Sequence, residues 1–335
     1  METVYFLGID VAKKTFEGAL TAEGKAFHRL ASGNTGTEIK AFFETLIKKI
    51  GISSDQLIVC MEHTGIYCRP LLEFLIEHKI KVCLESAVQI KKSQGMVRGK
   101  NDKIDAQRIA LYAYKNREHL TFWVPQRLVI QKLKALLVTR DRLVRCKTEL
   151  QVPMDECEEF IEGSIHKMIV KGCQSSIKVL ERDIKKTEKL MDDLIKEDTQ
   201  VHKQYRIATS VTGIGKITAL NMIVSTAEFS RIRESKKFAC YSGIAPFQYR
   251  SGTSIRGKTR VSKMANMGIK KLLHLAAMTA IQYDDQIKLY YQRKVDAGKN
   301  KMSVINAVRN KLISRVFACI NNDRQYQKNY KYVLV

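Results

Sequence analysis

No two of the eight cysteines have the CxxC spacing. Neither a zinc site nor a disulfide framework is indicated, and a reducing cytoplasm fits the chain. No apolar run approaches the roughly 18 residues of a membrane span, and Met1-Glu2-Thr3 opens no basic-then-apolar leader. A membrane segment and a secretory signal are therefore not expected. Internal repeats and low-complexity tracts are also missing. The 45% hydrophobic and 27% charged residues exclude wholesale disorder. A length of 335 residues suggests two domains, at roughly 150 residues each.

The remaining shortage is of acid. Lys plus Arg number 58 against 34 Asp plus Glu, a net charge of +24. Residues 1–150 carry 25 basic and 16 acidic side chains (+9), residues 151–200 carry 8 and 12 (−4), and residues 201–335 carry 25 and 6 (+19). Such self-repulsion does nothing for a fold, whereas a polyanion relieves it through counterion release. Nucleic acid is the expected partner; an anionic membrane surface and a merely soluble basic protein are the alternatives.

Residues 3–9 form an apolar run of strand type that ends at Asp10, followed by strand-like stretches near 15–21 and 25–31. Ile39, Phe42, Phe43, Leu46, Ile47 and Ile50 have helical spacing. A second buried-type strand, 56–61, ends at Glu62. A helix through Leu71, Leu72, Leu75 and Ile76 leads to a strand near 80–85, then a basic stretch, then a helix starting near Asn101 or Asp102. The order β-β-β-α-β-α-β-α predicts a mixed sheet with helices packed on it.

From about 126 to 200 the pattern is helical, with two runs of 3-4 spacing: Leu133 to Leu150 and Ile177 to Leu194. Pro153, Gly163 and Gly172 are expected to separate them. An intramolecular hairpin and a dimerising coil both fit, because the polar Arg140, Lys147 and Thr187 interrupt the seam. The last 135 residues are helical by pattern and strongly basic.

Asp10 and Glu62 each end a predicted strand, and Asp102 and Asp105 stand three apart on one face of a predicted helix. If the first and fourth strands are neighbours, their C-terminal ends join Asp10 to Glu62, and the helix need only cross that edge to complete a set of four. Each residue has an ordinary reading too: a strand-end Asp as a turn residue, Asp102 as an N-cap with Asp105 as its N3 neighbour. Four converging carboxylates repel unless hard divalent cations, Mg²⁺ or Mn²⁺, neutralise them. Two such ions about 3.5–4 Å apart can hold the attacking and leaving oxygens of a phosphoryl transfer. Residues 88–117, with Lys100 and Lys103 among them, carry eight basic side chains and only those two acids. That suits a phosphate backbone passing the site.

Farther on, Val211-Thr-Gly213-Ile-Gly215-Lys216 looks like a helix-hairpin-helix turn, where glycines permit tight geometry and helix amides can meet a phosphate. Between Arg250 and Lys271 there are seven basic residues and no acid. Arg250, Arg256, Lys258, Arg260 and Lys263 are the expected phosphate ligands there, against the plainer reading of a solvated loop. His63, adjacent to Glu62, would face away from it in an extended strand, so a structural role is expected of it.

Phe6-Leu-Gly-Ile-Asp10-Val-Ala-Lys, Met61-Glu62-His-Thr-Gly65 and Gly99-Lys-Asn-Asp102-Lys-Ile-Asp105-Ala together resemble the DEDD transposases of the insertion-sequence-110 family, which also includes the Piv-type DNA invertases. Val211 to Gly215 and Tyr241-Ser242-Gly243-Ile-Ala-Pro246 resemble that family's second domain, so the likeness spans nearly the whole chain. It implies an α/β RNase H-like (RuvC-like) catalytic domain at 1–120, a helical coiled-coil connector at 121–200 and a mostly α transposase domain at 201–335. It further implies that Asp10, Glu62, Asp102 and Asp105 bind Mg²⁺ or Mn²⁺.

By the same resemblance Ser242, by itself an unremarkable turn residue, is the nucleophile that forms a phosphoserine link to DNA, with the neighbouring Tyr241 as a weaker rival. Ser242 lies 137 residues beyond Asp105, so a composite site requires the chain to fold back, within or between subunits. The resemblance also implies a structured non-coding bridge RNA that selects donor and target DNA. Exchange of four strands implies a dimer that assembles into a tetramer. The protein would be cytoplasmic, on the nucleoid when DNA-bound. A hydrolytic nuclease of Holliday-junction-resolvase type, which needs no Ser242, is the first alternative. A non-enzymatic nucleic-acid-binding scaffold is the second.

Overall fold

The computed structural model describes residues 4–25, 27–93, 101–251, 255–262 and 264–328, with 248–251, 255, 256, 258 and 259 as backbone only. The chain divides into two compact units, residues 1–125 and 126–335.

In the first unit β1 (Tyr5–Val11), β2 (Thr15–Thr21), β3 (His28–Gly33), β4 (Leu57–Glu62) and β5 (Lys81–Glu85) form one sheet in the order β3-β2-β1-β4-β5. β2 runs antiparallel to β1 and β3, while β1, β4 and β5 run parallel. The near-continuous apolar character of β1 and β4 follows from burial on both faces. One face (Leu7, Ile9, Phe16, Val59, Met61) packs on Ile39, Phe43 and Leu46 of α1 (Gly36–Ile50) and on Leu71 and Leu75 of α2 (Arg69–Glu77). The other face (Phe6, Ile58, Cys60, Cys83) packs on Ile90 of α3 (Ala87–Lys92) and on Ile109, Tyr112 and Ala113 of α4 (Asp102–Lys115).

Gly8 decides how closely α4 approaches. A Cβ there would lie 2.2 Å from the Ala110 amide nitrogen and 2.3 Å from the Ala106 carbonyl oxygen. Only a residue without a side chain lets a helix backbone rest directly on a strand in this way. Phe6 packs beside Ile109 and Ala113 while Gly8 sits under Ala106 and Ala110, so α4 runs antiparallel to β1.

The second unit opens with α5 (Leu128–Cys157) and α6 (Gly163–Glu197). The two helices pair within one chain, and ion pairs Arg140–Glu188 and Lys147–Glu181, both 2.6 Å, cross between them. The polar residues of the expected seam therefore carry interhelical salt bridges. Pro153 does not separate the runs. α5 continues through it for four residues and Gly172 lies inside α6, so the break falls at 158–162. α7 (Thr199–Thr209), α8 (Lys216–Ser225), α9 (Ser235–Tyr241), α10 (Met267–Tyr283), α11 (Asp285–Asp296) and α12 (Lys301–Asn321) then gather around one core, which includes Val308, Leu312 and Val316 of α12. A hairpin, β6 (Phe247–Ser251) with β7 (Ile255–Arg260), interrupts the helices.

Three consecutive non-glycine residues, Ala227, Glu228 and Phe229, have left-handed φ values of 50°, 59° and 58°. Each such residue costs roughly 1–2 kcal/mol, so the surroundings must hold the turn. The Arg127 guanidinium donates to both Glu228 oxygens (2.9 and 2.7 Å) and to Asp198 (2.8 Å), and the Phe229 amide donates to the buried Thr226 hydroxyl (2.9 Å).

Candidate active site

Register aligns the strand-end carboxylates. Ile9 pairs with Met61, so Asp10 and Glu62 are the next residues on adjacent strands. Asp10 also pairs with Glu17 on β2, and Glu62 with Glu85 on β5. Paired positions project from one face, with Cβ atoms about 5 Å apart. Glu17, Asp10, Glu62 and Glu85 thus form one row of acids across four strands. Asp10 lies two residues beyond Gly8, so the row is on the α4 face.

The first turn of α4 reaches this row by simple geometry. Two strand residues advance about 6.6 Å, a distance that about four helical residues cover at 1.5 Å each. From Ala106 and Ala110 over Gly8, that step leads to residues 102–106 over Asp10. The N-cap of α4 is Asn101, whose side chain accepts from the Lys103 amide (3.1 Å). The capping role is therefore filled, and Asp102 stands exposed at the first helical position.

The side chains do not all converge. Asp105 receives a 2.7 Å bond from Arg108. Among the described residues no three His, Cys, Asp or Glu side chains lie close enough to share an ion. The donor set is nevertheless all carboxylate oxygen at one edge, the chemistry a hard divalent cation takes. Burial, with the Glu85 carboxylate second, pushes the Tyr112 phenol up to about 12. His63 lies beyond the strand end, where its amide donates to the Glu85 carbonyl (2.9 Å) and its ring accepts from the Gly65 amide (3.3 Å).

Ser242 ends α9 and is 0% exposed; its hydroxyl donates to the Phe238 carbonyl (2.8 Å). Tyr241 is 38% exposed, and its hydroxyl accepts from Asn266 (3.2 Å). The Ile244 carbonyl accepts from Asn306 of α12 (2.9 Å).

The expected nucleic-acid contacts fall in different settings. Lys103 is exposed on the first turn of α4, and Arg260 is exposed at the end of β7. Arg250 and Arg256 are register partners in the hairpin, with Lys258 on the same strand as Arg256. Lys100 and Lys263 lie outside the described residues. Gly213 has φ +94°, and a Cβ on it would lie 2.4 Å from the Ala276 carbonyl, so α10 closes that side. Gly215 is the N-cap of α8 with open space around it, while Lys216 is held by both Asp192 oxygens at 2.8 Å.

Comparison with known proteins settles the family. The family described as "Transposase IS116/IS110/IS902 family" matches residues 205–292, and a DEDD transposase family of IS110 type matches residues 7–157. The chain belongs to the IS110 family of transposases. Pilin gene-inverting proteins of Moraxella bovis and Moraxella lacunata are 26% and 25% identical over 334 residues, covering 96% of this chain and 98% of theirs. The IS1111A transposase of Coxiella burnetii is 24% identical over 68% of each chain. Among solved structures, Thermus thermophilus RuvC in complex with a Holliday junction substrate matches 36% of this chain and 99% of its own, at 14% identity and a TM-score of 0.28.

Two acids of this row, Glu85 and Glu17, are not among the residues expected from the sequence. Glu85 ends its strand as Asp10 and Glu62 end theirs, and that repetition was the available signal. Glu17 begins no such pattern; only the β1–β2 register shows it. No helix among the described residues is long and apolar enough to cross a membrane.

Proposed function

We propose that this transposase cuts and exchanges DNA strands at an insertion sequence. Asp10, Glu62, Asp102 and Asp105 of an RNase H-like unit would hold Mg²⁺ or Mn²⁺, and Ser242 would be the nucleophile. The observation that carries this reading is the carboxylate row at the β1–β4 edge, with the first turn of α4 brought over it by Gly8. When bound, the metal supplies charge neutralisation at the scissile phosphate.

In the serine step the Oγ–phosphorus bond forms as one phosphorus–oxygen bond of the DNA backbone breaks. One proton leaves the serine hydroxyl, and one is taken up by the departing deoxyribose oxygen. The phosphodiester energy is conserved in the covalent link and can be returned to a new partner strand. Before that, the hydroxyl would have to leave the Phe238 carbonyl and the turn would have to uncover it. The second unit has 40 basic against 20 acidic residues, a balance compatible with DNA and with a guide (bridge) RNA. Paired arms built from α5 and α6 would serve as coiled-coil contacts within a dimer that assembles to a tetramer.

The burial of Ser242 favours a second reading, in which water attacks at the four carboxylates and no covalent intermediate forms. The deciding experiment incubates the purified protein, with any co-purifying RNA, with supercoiled element-junction DNA and Mg²⁺, then denatures it. A covalent protein–DNA adduct that Ser242→Ala abolishes supports strand transfer; nicks without an adduct support hydrolysis. Asp10→Asn and Asp102→Asn should each abolish cleavage while leaving salt-sensitive binding in place. Retained cleavage in Asp10→Asn would sink the metal assignment.

A further inference from the structure

Arg309 stands out in the second unit. It lies on α12, is 6% exposed, and has no carboxylate partner among the described residues. One guanidinium nitrogen, Nη2, bonds the His274 Nδ1 at 2.5 Å, and Nη1 donates to the Asn306 Oδ1 at 3.3 Å. Nε is buried without a partner. Burial alone lowers the guanidinium's proton affinity. A buried charge without an opposite charge is among the most unfavourable arrangements in a protein interior.

The surroundings of Arg309 point to the Ser242 turn. Asn306, which accepts from Arg309, donates its own amide to the Ile244 carbonyl, two residues past Ser242. A Cβ at Gly243 would lie 3.6 Å from Cδ of Lys270, one helical turn before His274 on α10. Lys270 also has no carboxylate partner among the described residues. Support of the turn would need only the neutral Asn306. The charge on Arg309 is left over by that role, and so is its unused Nε donor.

We propose that Arg309 is an anion-receiving residue of the Ser242 turn, binding a DNA backbone phosphate when that turn opens. The inference rests on the strand-transfer reading for its catalytic consequence, but the phosphate contact itself can be measured without cleavage. Guanidinium suits the task because its planar fork meets two phosphate oxygens at once and keeps its charge when desolvated. The Asn306–Ile244 bond ties that turn to α12, so an opening that breaks it would make nucleophile and cation available together.

The test compares wild type, Arg309→Met and Arg309→Lys as full-length proteins on element-junction DNA. Folding is followed by thermal melting, binding by the dependence of log Kobs on log salt, and reaction by adduct or nick formation with Mg²⁺. A phosphate contact predicts a salt slope smaller by about 0.9 in Arg309→Met and unchanged in Arg309→Lys. The reaction rate of Arg309→Met should fall by about 10²-fold to 10³-fold with partial rescue in Arg309→Lys, and the melting temperature should stay level or rise. An unaltered slope in Arg309→Met overturns the proposal, whatever happens to the rate. A reduced slope in Arg309→Met, when the wild type itself forms no adduct, keeps the phosphate contact and defeats the serine reading instead.

Discussion

Gly8 carries no chemistry, yet Gly8→Ala should disable the enzyme. The added methyl carbon would lie 2.2 Å from the Ala110 nitrogen and 2.3 Å from the Ala106 oxygen, both backbone atoms that no rotamer change can move. To restore ordinary contact near 3.4 Å, α4 must retreat by about 1 Å. Overpacking of this kind costs about 1–3 kcal/mol, which a unit with a two-faced core can survive. The helix that retreats is the one whose first turn, with Asp102 and Asp105, lies over the strand ends that carry Asp10 and Glu62. A misplacement of about 1 Å in such a constellation can cost about 10²-fold in rate. The assay is nicking of supercoiled element-junction DNA, run beside thermal melting and salt-dependent binding. Gly18→Ala is the control, because its Cβ would meet Leu7, Leu30 and Phe42 side chains at 3.5–3.6 Å, and it should cut at nearly the wild-type rate. A folded Gly8→Ala protein that cuts as fast as Gly18→Ala would refute the idea that α4 sets the carboxylate geometry.

Arg127→Met should lower stability by about 1 kcal/mol, discounted because the arginine is half exposed, as read from the denaturant midpoint. The Arg127 guanidinium holds the Asp198 carboxyl below the usual carboxylate range. A depressed folded-state pKa contributes stability that is complete above the unfolded value of about 3.9 and lost as pH falls below it. The stability gap between wild type and Arg127→Met should therefore narrow as pH falls below about 4; a gap independent of pH there would contradict the pairing. Glu85→Gln should raise the Mg²⁺ concentration needed for half-maximal nicking several-fold without abolishing cleavage, because it thins the acid row beside Glu62; an unchanged Mg²⁺ requirement would place Glu85 outside the site.

Much of the first unit was legible because its signals are local. A buried parallel strand reads as an apolar run, and the acid at its end marks where the run leaves the core; Asp10 and Glu62 were found this way. The spacing of Ile39 to Ile50 yields α1, and Asn101 with Asp102 marks the start of α4 to within a residue. Position across strands was not legible. Glu17 joins the acid row only through the antiparallel return of β2, and no spacing along the chain encodes that register. Pro153 misled because a proline breaks a helix by removing one amide bond and crowding the preceding turn, a penalty that long interhelical packing outweighs in α5. The hairpin at 247–260 was not legible because its dense positive charge is equally that of a phosphate-binding loop, although Phe247, Tyr249, Ile255 and Gly257 alternate with polar residues. That Ser242 is buried could not be inferred, since a hydroxyl bonded to the carbonyl four residues back looks the same in sequence as one facing solvent.

The left-handed turn at 227–229 also sets an order of events during synthesis. Its clamp, Arg127, precedes Glu228 by 101 residues. At about 5–20 residues per second, Arg127 is polymerised roughly 5–20 s before its partner. Pairing of α5 with α6 needs only sequence that precedes Glu228 and so can close before Glu228 emerges. The arm can therefore stand folded while its base is still untied, and the nascent chain gains its last anchor only when the strained turn forms around the waiting arginine.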